Sequence, residues 1–336
     1  MIDRLELIKR DTQEIITEEE LKKLLEEKKS PGAYWGTATT GRIHIGYFIP
    51  ILKIADFLKA GFKFKILLAD LHAHLDDQKS PWSLLNARTV YYQEIIQAMF
   101  DALKIDTSKL IYVRGSDFQT ERDYVLDVLR MSTLTTLART RRAAAEVVRF
   151  GNEPKMGGFF YPLMQTEDIP ALEADVAYSG EDQRQIYAFS RELLPQINHK
   201  KPICVFTPML PGLTGAKMSA SDEKSKIDLL DIDKDVEKKI NSAYCKEGDL
   251  NENGVIAFVE YFLFPFKNEL KIERPKKFGG DKTYNNFSEL KKDFINKKLH
   301  PLDLKRLVAK EINNLLNPIR KKFEKRKDLL REAYPK

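Results

Sequence analysis

Residues 33–58 have the sequence AYWGTATTGRIHIGYFIPILKIADFL, in which a short apolar run is followed by a loop with glycine and then by an apolar stretch that Gly61 stops. The first residues favour a β-strand, and Ile49 to Leu58 favour a buried helix. A second apolar strand, Phe64 to Leu68, follows directly. Strand, helix and strand in this order predict a parallel β-α-β unit, because parallel pairing needs a long crossover connection.

The same alternation continues to about residue 206. The further predicted elements are a helix from Ser80-Pro81 to about Leu103, a strand Leu110 to Val113, a helix Tyr161 to Leu172, a strand near Val176, a helix Asp182 to Leu194 and a strand Ile203 to Phe206. This pattern predicts an α/β fold with a Rossmann-like, doubly wound parallel sheet, covered by helices on both faces. Before it, a capping box from Thr17 to Glu20 predicts the start of an outer helix.

Beyond Asp231 the strand signals almost vanish and helical periodicity dominates. The predicted helices span Asp235 to Tyr244, Val255 to Phe264, Phe287 to Asn296 and Leu302 to Leu316. A chain of 336 residues exceeds the usual domain length of about 150 residues, so we expect two main domains. We place an N-terminal helical segment at 1–30, the Rossmann-like domain at 31–223 and an all-α domain at 224–336.

Composition narrows the class of protein. With 43% hydrophobic and 32% charged residues, the chain is globular rather than disordered or fibrous, and its net charge of +6 permits a polyanionic partner. Cys204 and Cys245 are far apart and lack metal-ligand spacing, which indicates a reducing compartment. The sequence has neither a signal peptide nor a run of about 18 apolar residues, so we expect a cytoplasmic protein without a membrane partner.

The first candidate motif is Gly41 to Tyr47, between the first strand and its helix. Ligands of doubly wound sheets bind at this place, where free backbone N–H groups and the helix dipole favour phosphate. His44 could donate to a phosphate oxygen, and Gly46 would let a flat base approach the backbone. By itself the motif equally fits a turn with a packed histidine.

The second candidate motif is Lys217 to Ser221, in a loop with glycines at 212 and 215. A lysine on such a loop can close over a triphosphate, and the serines can add hydrogen bonds. The spacing differs from that of a Walker P-loop. Alone, the loop fits an ordinary solvated linker better.

Together and in this order, the two motifs resemble the HIGH and KMSKS motifs of class I aminoacyl-tRNA synthetases. From about Leu5 to Tyr334 the chain is most similar to tyrosyl-tRNA synthetases of the eukaryotic and archaeal type. The stretches that carry the resemblance are Ala33 to Gly41, Leu68 to Ala73, Tyr161 to Gln165, Asp182 to Arg184, Pro211 to Gly215 and Phe278 to Asp281. Two positions depart from the wider class: Tyr47 replaces the second histidine, and Ala220-Ser221 replaces the second lysine and serine.

The resemblance implies a tyrosine site made by Tyr34, Tyr161, Gln165, Asp168 and Gln183. Tyr161, Gln165 and Asp168 are spaced to project from one face of the predicted helix. In the family, Asp168 and Tyr34 meet the phenolic hydroxyl, and Tyr161, Gln165 and Gln183 hold the α-ammonium group. A site built to bind a hydroxyl rejects phenylalanine, because its own polar groups would remain unpaired; tyrosyl-tRNA synthetase is itself the standard example of this effect.

The resemblance also implies an ATP site and a catalytic set. The expected ATP-binding residues are Trp35, Gly36, Thr40, His44, Gly46, Lys217 and Met218, and the expected catalytic residues are His44, Gly46, Lys217, Ser219 and Ser221. Mg²⁺ is expected only as the ATP complex. We predict no metal site on the protein: His72 and His74 have no evident third ligand, and His72 more simply borders the pocket.

For the RNA partner, tRNA(Tyr), the resemblance implies two regions. Arg141 and Arg142 lie in a segment inserted at about 105–160, which meets the acceptor end and the second subunit of a homodimer. In the all-α domain, the anticodon-binding domain of the family, Phe278 could stack on a base and Asp303 could accept from guanine. The alternative for the arginines is a solvated helix face, which we expect to apply to at least one of the cluster Arg139, Arg141 and Arg142.

The expected reaction has two steps: L-tyrosine and ATP give tyrosyl-adenylate and pyrophosphate, and the tyrosyl group then passes to the 3′ end of the tRNA with release of AMP. A tryptophanyl-tRNA synthetase shares the fold and both motifs, although Asp168 with Tyr34 favours a phenol. A nucleotidyltransferase of cofactor biosynthesis has a related first motif but lacks the helical domain. From another class, a tRNA-binding protein that has lost catalysis stays open.

Overall fold

The computed structural model describes residues 3–215 and 225–335, apart from the side chain of Phe278. The chain begins with helix α1 (Arg4–Lys9), strand β1 (Glu14–Ile16) and helix α2 (Glu18–Glu27). Helix α2 starts with the predicted capping box: the backbone N–H of Glu20 donates to Thr17 Oγ1 at 3.2 Å, and Glu20 Oε2 accepts from the backbone N–H of Thr17 at 3.4 Å. The predicted start of this helix is therefore confirmed.

The centre of the fold is a six-stranded sheet within these described residues. Its further strands are β2 (Gly32–Ala38), β3 (Lys63–Ala69), β4 (Leu110–Arg114), β5 (Val176–Gly180) and β6 (Ile203–Thr207). The strand order is β1-β6-β5-β2-β3-β4. All neighbours pair in parallel except β1, which pairs antiparallel with β6. The predicted doubly wound parallel sheet is confirmed; the short antiparallel edge strand was not predicted.

Helices connect these strands and cover the sheet. They are α3 (Phe48–Lys59), α4 (Asp70–Leu75), α5 (Leu85–Ala102), α6 (Arg122–Ser132), α7 (Leu137–Ala143), α8 (Met156–Ala171) and α9 (Arg184–Leu193). Helix α8 begins five residues before the predicted Tyr161. A Cβ at Gly157 would lie 3.0 Å from the carbonyl oxygen of Leu75, so a glycine in the first turn allows α8 to start close against the end of α4.

The segment predicted as an insertion, about 105–160, contributes one strand to the central sheet and then two helices. Its first part supplies β4, which pairs with β3 at the sheet edge. Helices α6 and α7 follow and pack against α8.

The C-terminal part is mostly helical, as predicted. Its elements are α10 (Asp233–Ser242), α11 (Gly254–Phe258), a π-helical turn (Val259–Leu263), α12 (Phe264–Lys267), β7 (Leu270–Ile272), β8 (Lys282–Tyr284), α13 (Phe287–Ile295), α14 (Pro301–Glu324) and α15 (Lys327–Ala333). Strands β7 and β8 form a small antiparallel pair. Helix α14 was predicted to end near Leu316, but it continues through Pro318 to Glu324. No helix in the described part of the chain is long and apolar enough to cross a membrane.

A single hydrophobic cluster joins the α/β part to the helical part. The Phe48 ring lies 4.9 Å from the ring of Phe262, which comes from the π-helical turn. Basic side chains of α14 and the turn after it also reach the α/β part: Lys322 lies 3.1 Å from Asp101, and Arg326 pairs with Glu94. Ion pairs therefore also connect the two parts and neutralise these two basic side chains.

We predict that Phe262→Ala lowers the free energy of unfolding by about 3–5 kcal/mol, because it opens a cavity in the core shared by both parts. Chemical denaturation followed by circular dichroism measures the change. Ile295→Ala, at a half-exposed side chain, is the matched control and should shift stability by about 0.5 kcal/mol or less. An equally small effect of Phe262→Ala would contradict the shared core.

Candidate active site

A pocket of about 340 Å³ opens at the carboxyl ends of β2, β3 and β5. The connections leave the sheet in opposite directions on the two sides of the β2–β5 pair, and doubly wound sheets bind their ligands at such a switch point. The pocket is lined by every predicted tyrosine and ATP residue that the structure describes: Tyr34, Trp35, Gly36, Thr40, His44, Gly46, Tyr161, Gln165, Asp168 and Gln183. The tertiary structure thus brings together residues that are up to 149 positions apart.

The carboxylate of Asp168 lies at the base of the pocket and is only 1% exposed. Its Oδ1 accepts hydrogen bonds from Gln119 Nε2 at 2.7 Å and from the Tyr124 hydroxyl at 2.9 Å. Its Oδ2 lies 3.8 Å from His72 Nε2. Burial raises the pKa of Asp168 to about 7, against the opposing effect of its two hydrogen-bond donors. Both donors therefore help to keep a negative charge in a buried place.

His72 stands on the pocket wall, as expected from its position after β3. Its ring lies edge-on to Tyr161, with 4.6 Å between the ring centroids. Burial lowers the pKa of His72 to about 4, so the imidazole is neutral near pH 7. Its Nε2 is buried and has no hydrogen-bond partner among the described residues. A buried polar atom of this kind is usually paired, which suits a place where a polar ligand or water binds.

Two polar pairs form other parts of the wall. The hydroxyls of Tyr34 and Tyr187 lie 2.9 Å apart, and Gln165 Nε2 donates to Gln183 Oε1 at 3.2 Å. Tyr34 comes from β2, Gln165 from α8 and Gln183 from the turn after β5. Three separate elements thus place hydroxyl and amide groups around one cavity.

His44 has a structural role in its loop and also lines the pocket. It caps the short 3₁₀ turn Ile45–Tyr47, and its Nδ1 accepts from the backbone N–H of Gly46 at 3.2 Å. Since Nδ1 is an acceptor, the proton of the neutral ring resides on Nε2. Burial, with a smaller effect of Lys226, lowers the pKa of His44 to about 3. The side chain is therefore a neutral N–H donor in the pocket wall.

Three tyrosines hold the backbone just before His44. The hydroxyls of Tyr92 and Tyr334 both donate to the carbonyl oxygen of Gly41, at 2.7 and 2.9 Å. The Tyr91 hydroxyl accepts from the N–H of Ile43 at 3.3 Å. Tyr334 directly follows α15, so the C-terminal helix contributes to the shape of this loop.

The second motif lies outside the described residues, and with it Lys217, Met218, Ser219 and Ser221. The chain on its two sides is described. The backbone N–H of Leu213 donates to the carbonyl of Ser225 at 2.9 Å, and that of Ile45 to the carbonyl of Ile227 at 3.0 Å. Arg42 and Asp228 form an ion pair at 2.9 Å. The residues that follow the second motif are thus joined to the first motif by a hydrogen bond and an ion pair.

The predicted RNA-contacting residues do not line the pocket. Arg141 and Arg142 are exposed near the end of α7, and the Arg141 guanidinium lies 5.6 Å from the Phe150 ring centroid. Asp303 lies in the first turn of α14. Phe278 lies in the turn Lys276–Phe278. Arg274 links these two places, since it donates to the carbonyls of Gly280 and Lys298, both at 2.9 Å.

The sequence interpretation missed several residues of the site. Gln119, Tyr124 and Tyr187 contact Asp168 or Tyr34, and Tyr92 and Tyr334 contact Gly41. They are 44 to 293 residues away from their partners and belong to no local motif. The count of 13 tyrosines in 336 residues does not single them out, so the sequence offered no signal for them.

The chain also matches a known family. The family described as tRNA synthetases, class I (W and Y), matches residues 26–317, which include the pocket and the loop of His44. This chain belongs to that family. The Rossmann-like sheet and the position of the pocket fit a class I synthetase, as the two motifs together predicted.

Similar proteins within the family are named for tyrosine. The tyrosine–tRNA ligase of Haloarcula marismortui is 48% identical over 337 residues, which cover 99% of this chain and 97% of that protein. The cytoplasmic tyrosine–tRNA ligase of Xenopus tropicalis is 47% identical over 98% of this chain, which spans only 63% of that protein. The crystal structure of tyrosyl-tRNA synthetase complexed with L-tyrosine from Archaeoglobus fulgidus has a TM-score of 0.89 and 42% identity, and the match covers 95% of this chain and 98% of that one.

The buried charge of Asp168 leads to a prediction about pH. Its folded pKa, about 7, is above the unfolded value of about 4, so ionisation lowers stability progressively as the pH rises from about 4 to 7, and the full cost persists above pH 7. Asp168→Asn keeps an oxygen that accepts from Gln119 and Tyr124 and removes the charge. We expect it to raise the Tm at pH 8 by about 2–5 °C and to raise it clearly less at pH 5, where only part of the cost is present.

Thermal unfolding at pH 5 and pH 8 measures this effect. Asp77→Asn makes the same chemical change at an exposed position and should leave the Tm unchanged at both values. A Tm for Asp168→Asn that differs from the wild type equally at pH 5 and pH 8 would refute the buried charge.

Proposed function

We propose that this class I synthetase is a tyrosine–tRNA ligase. It activates L-tyrosine with ATP to tyrosyl-adenylate and pyrophosphate, and then transfers the tyrosyl group to the 3′ end of tRNA(Tyr) with release of AMP. The observation that carries the proposal is the buried Asp168 carboxylate in the class I pocket, which Tyr34 also lines. The tyrosine–tRNA ligase names of relatives at 47–48% identity support it.

The phenol of the substrate binds at the base of the pocket. Asp168 accepts the phenolic hydrogen, and Tyr34 provides a second hydroxyl partner. Because Gln119 and Tyr124 both occupy Oδ1, the other carboxylate oxygen is the acceptor for the substrate. Phenylalanine would leave these buried groups unpaired, which is the physical basis for rejecting it.

The amino-acid end of the substrate binds nearer to the pocket mouth. Tyr161, Gln165 and Gln183 bind the α-ammonium group through hydroxyl and amide oxygens. This position directs the substrate carboxylate toward His44 and the ATP site. The carboxylate attacks the α-phosphate and pyrophosphate leaves, so the first step needs no nucleophile from the protein.

The nucleotide binds along the loop after β2. The residues proposed to contact ATP are Trp35, Gly36, Thr40, His44, Gly46, Lys217 and Met218. His44 donates its Nε2–H to a phosphate oxygen, and Lys217, Ser219 and Ser221 stabilise the negative charge that develops during transfer. Mg²⁺ enters with ATP as part of the substrate and neutralises the leaving pyrophosphate.

The tRNA binds at two places. Arg141 and Arg142 of the inserted segment contact the acceptor end, while Phe278 and Asp303 of the helical part, 224–336, contact the anticodon.

The division into segments 1–30, 31–223 and 224–336 belongs to this proposal. The backbone hydrogen bonds of Ile227 and Leu229 to Ile45 and Ile43 support a helical part that begins in contact with the proposed ATP site.

The enzyme acts as a homodimer in the cytoplasm. Large apolar side chains that are 37–63% exposed cluster on α6, α7 and the intervening turn: Val125, Leu126, Leu129, Leu134 and Leu137. Such a patch on a globular protein is typical of an interface, and a second copy of this chain is the proposed occupant. The cytoplasmic relatives support the compartment.

Amino-acid-dependent ATP–pyrophosphate exchange tests the activity. Tyrosine, tryptophan and phenylalanine are offered separately, and we expect exchange with tyrosine alone. Asp168→Ala should reduce kcat/KM for tyrosine by about 100-fold or more, with circular dichroism unchanged, because a charged hydrogen bond is lost. Exchange with tryptophan would favour the tryptophan enzyme, and none with any of the three would indicate a tRNA-binding protein without catalysis.

The two hydroxyls on Gly41 provide a further prediction. Tyr92→Phe and Tyr334→Phe should each have a small effect, since the other hydroxyl still holds the carbonyl. The double variant should raise the KM for ATP about 5- to 10-fold and leave the KM for tyrosine unchanged, because a net hydrogen bond contributes about 1 kcal/mol. Tyr112→Phe, which removes a hydroxyl bonded to Gln97, is the control. An unchanged KM for ATP in the double variant would contradict this role.

A further inference from the structure

Outside the active-site pocket, three side chains with metal-binding chemistry converge between helices α6 and α8. They are Asp127 on α6, Glu167 on α8 and His199, which follows the 3₁₀ turn Leu194–Ile197. Each offers one ligand-type atom, and these atoms all lie within 4.8 Å of one another. None of the three lines the pocket that holds Asp168.

Glu167 is the anomalous member of this triad. Its side chain is only 4% exposed, and Oε2 is buried without a hydrogen-bond partner among the described residues. The Asp127 carboxylate offers a ligand atom within 4.8 Å of that of Glu167, and Asp168 is the next residue of α8. A buried carboxylate beside two other carboxylates requires compensation by a proton or a cation, because its charge is otherwise costly.

The nearby cationic side chain of Arg130 contacts Asp127 rather than Glu167. Arg130 donates to Asp127 Oδ1 at 2.7 Å and therefore binds the outer oxygen of that carboxylate. The other oxygen, Oδ2, lies 2.9 Å from His199 Nε2. The backbone N–H of His199 donates to the carbonyl of Leu194 at 2.9 Å, which fixes the position of the residue. An imidazole nitrogen and two carboxylates thus face one point, with an arginine behind one of them.

We propose that Asp127, Glu167 and His199 bind one divalent transition-metal cation, with Zn²⁺ the best fit. Zn²⁺ binds imidazole nitrogen and carboxylate oxygen at about 2.0–2.2 Å, so neighbouring ligand atoms lie about 3–4 Å apart. Small side-chain rotations bring the triad to this spacing, and a water completes the site. Mg²⁺ and Ca²⁺ fit less well, since both prefer oxygen ligands alone.

The metal would join the two helices that shape the base of the tyrosine pocket. Asp127 lies one turn after Tyr124 on α6, and Glu167 immediately precedes Asp168 on α8. Tyr124 and Asp168 are hydrogen-bonded to each other at 2.9 Å. The bond from Arg130 to Oδ1 then orients a metal-bound carboxylate, as outer-shell partners commonly do. Positions 127, 167 and 199 have no motif spacing in the sequence, so no local pattern indicates this site.

The test uses the full chain, freed of metal with a chelator, without ATP, tyrosine or tRNA. Zinc chloride alone is titrated by isothermal titration calorimetry, and bound zinc is counted by mass spectrometry after desalting. We expect one equivalent per chain and a rise in Tm of about 4 °C at 100-fold excess over Kd. Magnesium chloride at the same concentration should cause no rise.

Two variants and one control assign the binding to the triad. Glu167→Gln and His199→Asn should each lose the zinc-dependent rise in Tm, while metal-free Glu167→Gln remains folded because a buried charge has been removed. Glu273→Gln, at a carboxylate that contacts Lys310 on the surface, should retain it. The absence of zinc binding in the wild type, or binding that both variants retain, would overturn the proposal.

Discussion

The pairing of β2 with β5 is the constraint on which the site depends. Tyr34 pairs with Ala177 and Trp35 with Tyr178, across more than 140 residues of chain. Because connections leave in opposite directions from this pair, their loops separate and a crevice opens at its carboxyl end. Successive residues of β2 point to opposite faces, so Tyr34 belongs to the cluster near α8 and Trp35 to the larger core with α3 and α5. A single strand thus contributes to both sides of the pocket.

Burial of polar groups gives the pocket its chemical character. Asp168 retains a negative charge only at a cost, which its hydrogen bonds to Gln119 and Tyr124 reduce. His72 and His44 respond to the same burial in the opposite sense, since burial disfavours their protonated forms. The pocket therefore offers a buried acceptor, Asp168, to a hydroxyl group of a ligand. It offers neutral imidazoles to a negatively charged group. Because these polar groups are buried, the pocket can select ligands by their hydrogen-bonding groups.

The helical part contacts the α/β part at several places, including the loop of His44. Phe262 packs on Phe48, which starts the helix after the His44 loop, and Tyr334 binds the carbonyl of Gly41 at the beginning of that loop. Arg326 and Lys322 pair with acidic residues of α5. These two basic side chains thus help to hold the helical part against the α/β part. Through these contacts, a distortion of the helical part would change the position of the loop at the proposed ATP site.

Local patterns in the sequence were enough to predict the parallel sheet, most helices and the capping box at Thr17, because hydrophobic period and capping chemistry act over a few residues. The two motifs together also indicated the family, and the predicted pocket residues that the structure describes do lie together. Helix boundaries such as the start of α8 depended on contact between Gly157 and Leu75, which no local pattern contains. The partners of Asp168, Tyr34 and Gly41, and the triad around Glu167, arise only when distant segments meet. Their positions depend on packing between elements, whereas the elements themselves depend on neighbours in the chain.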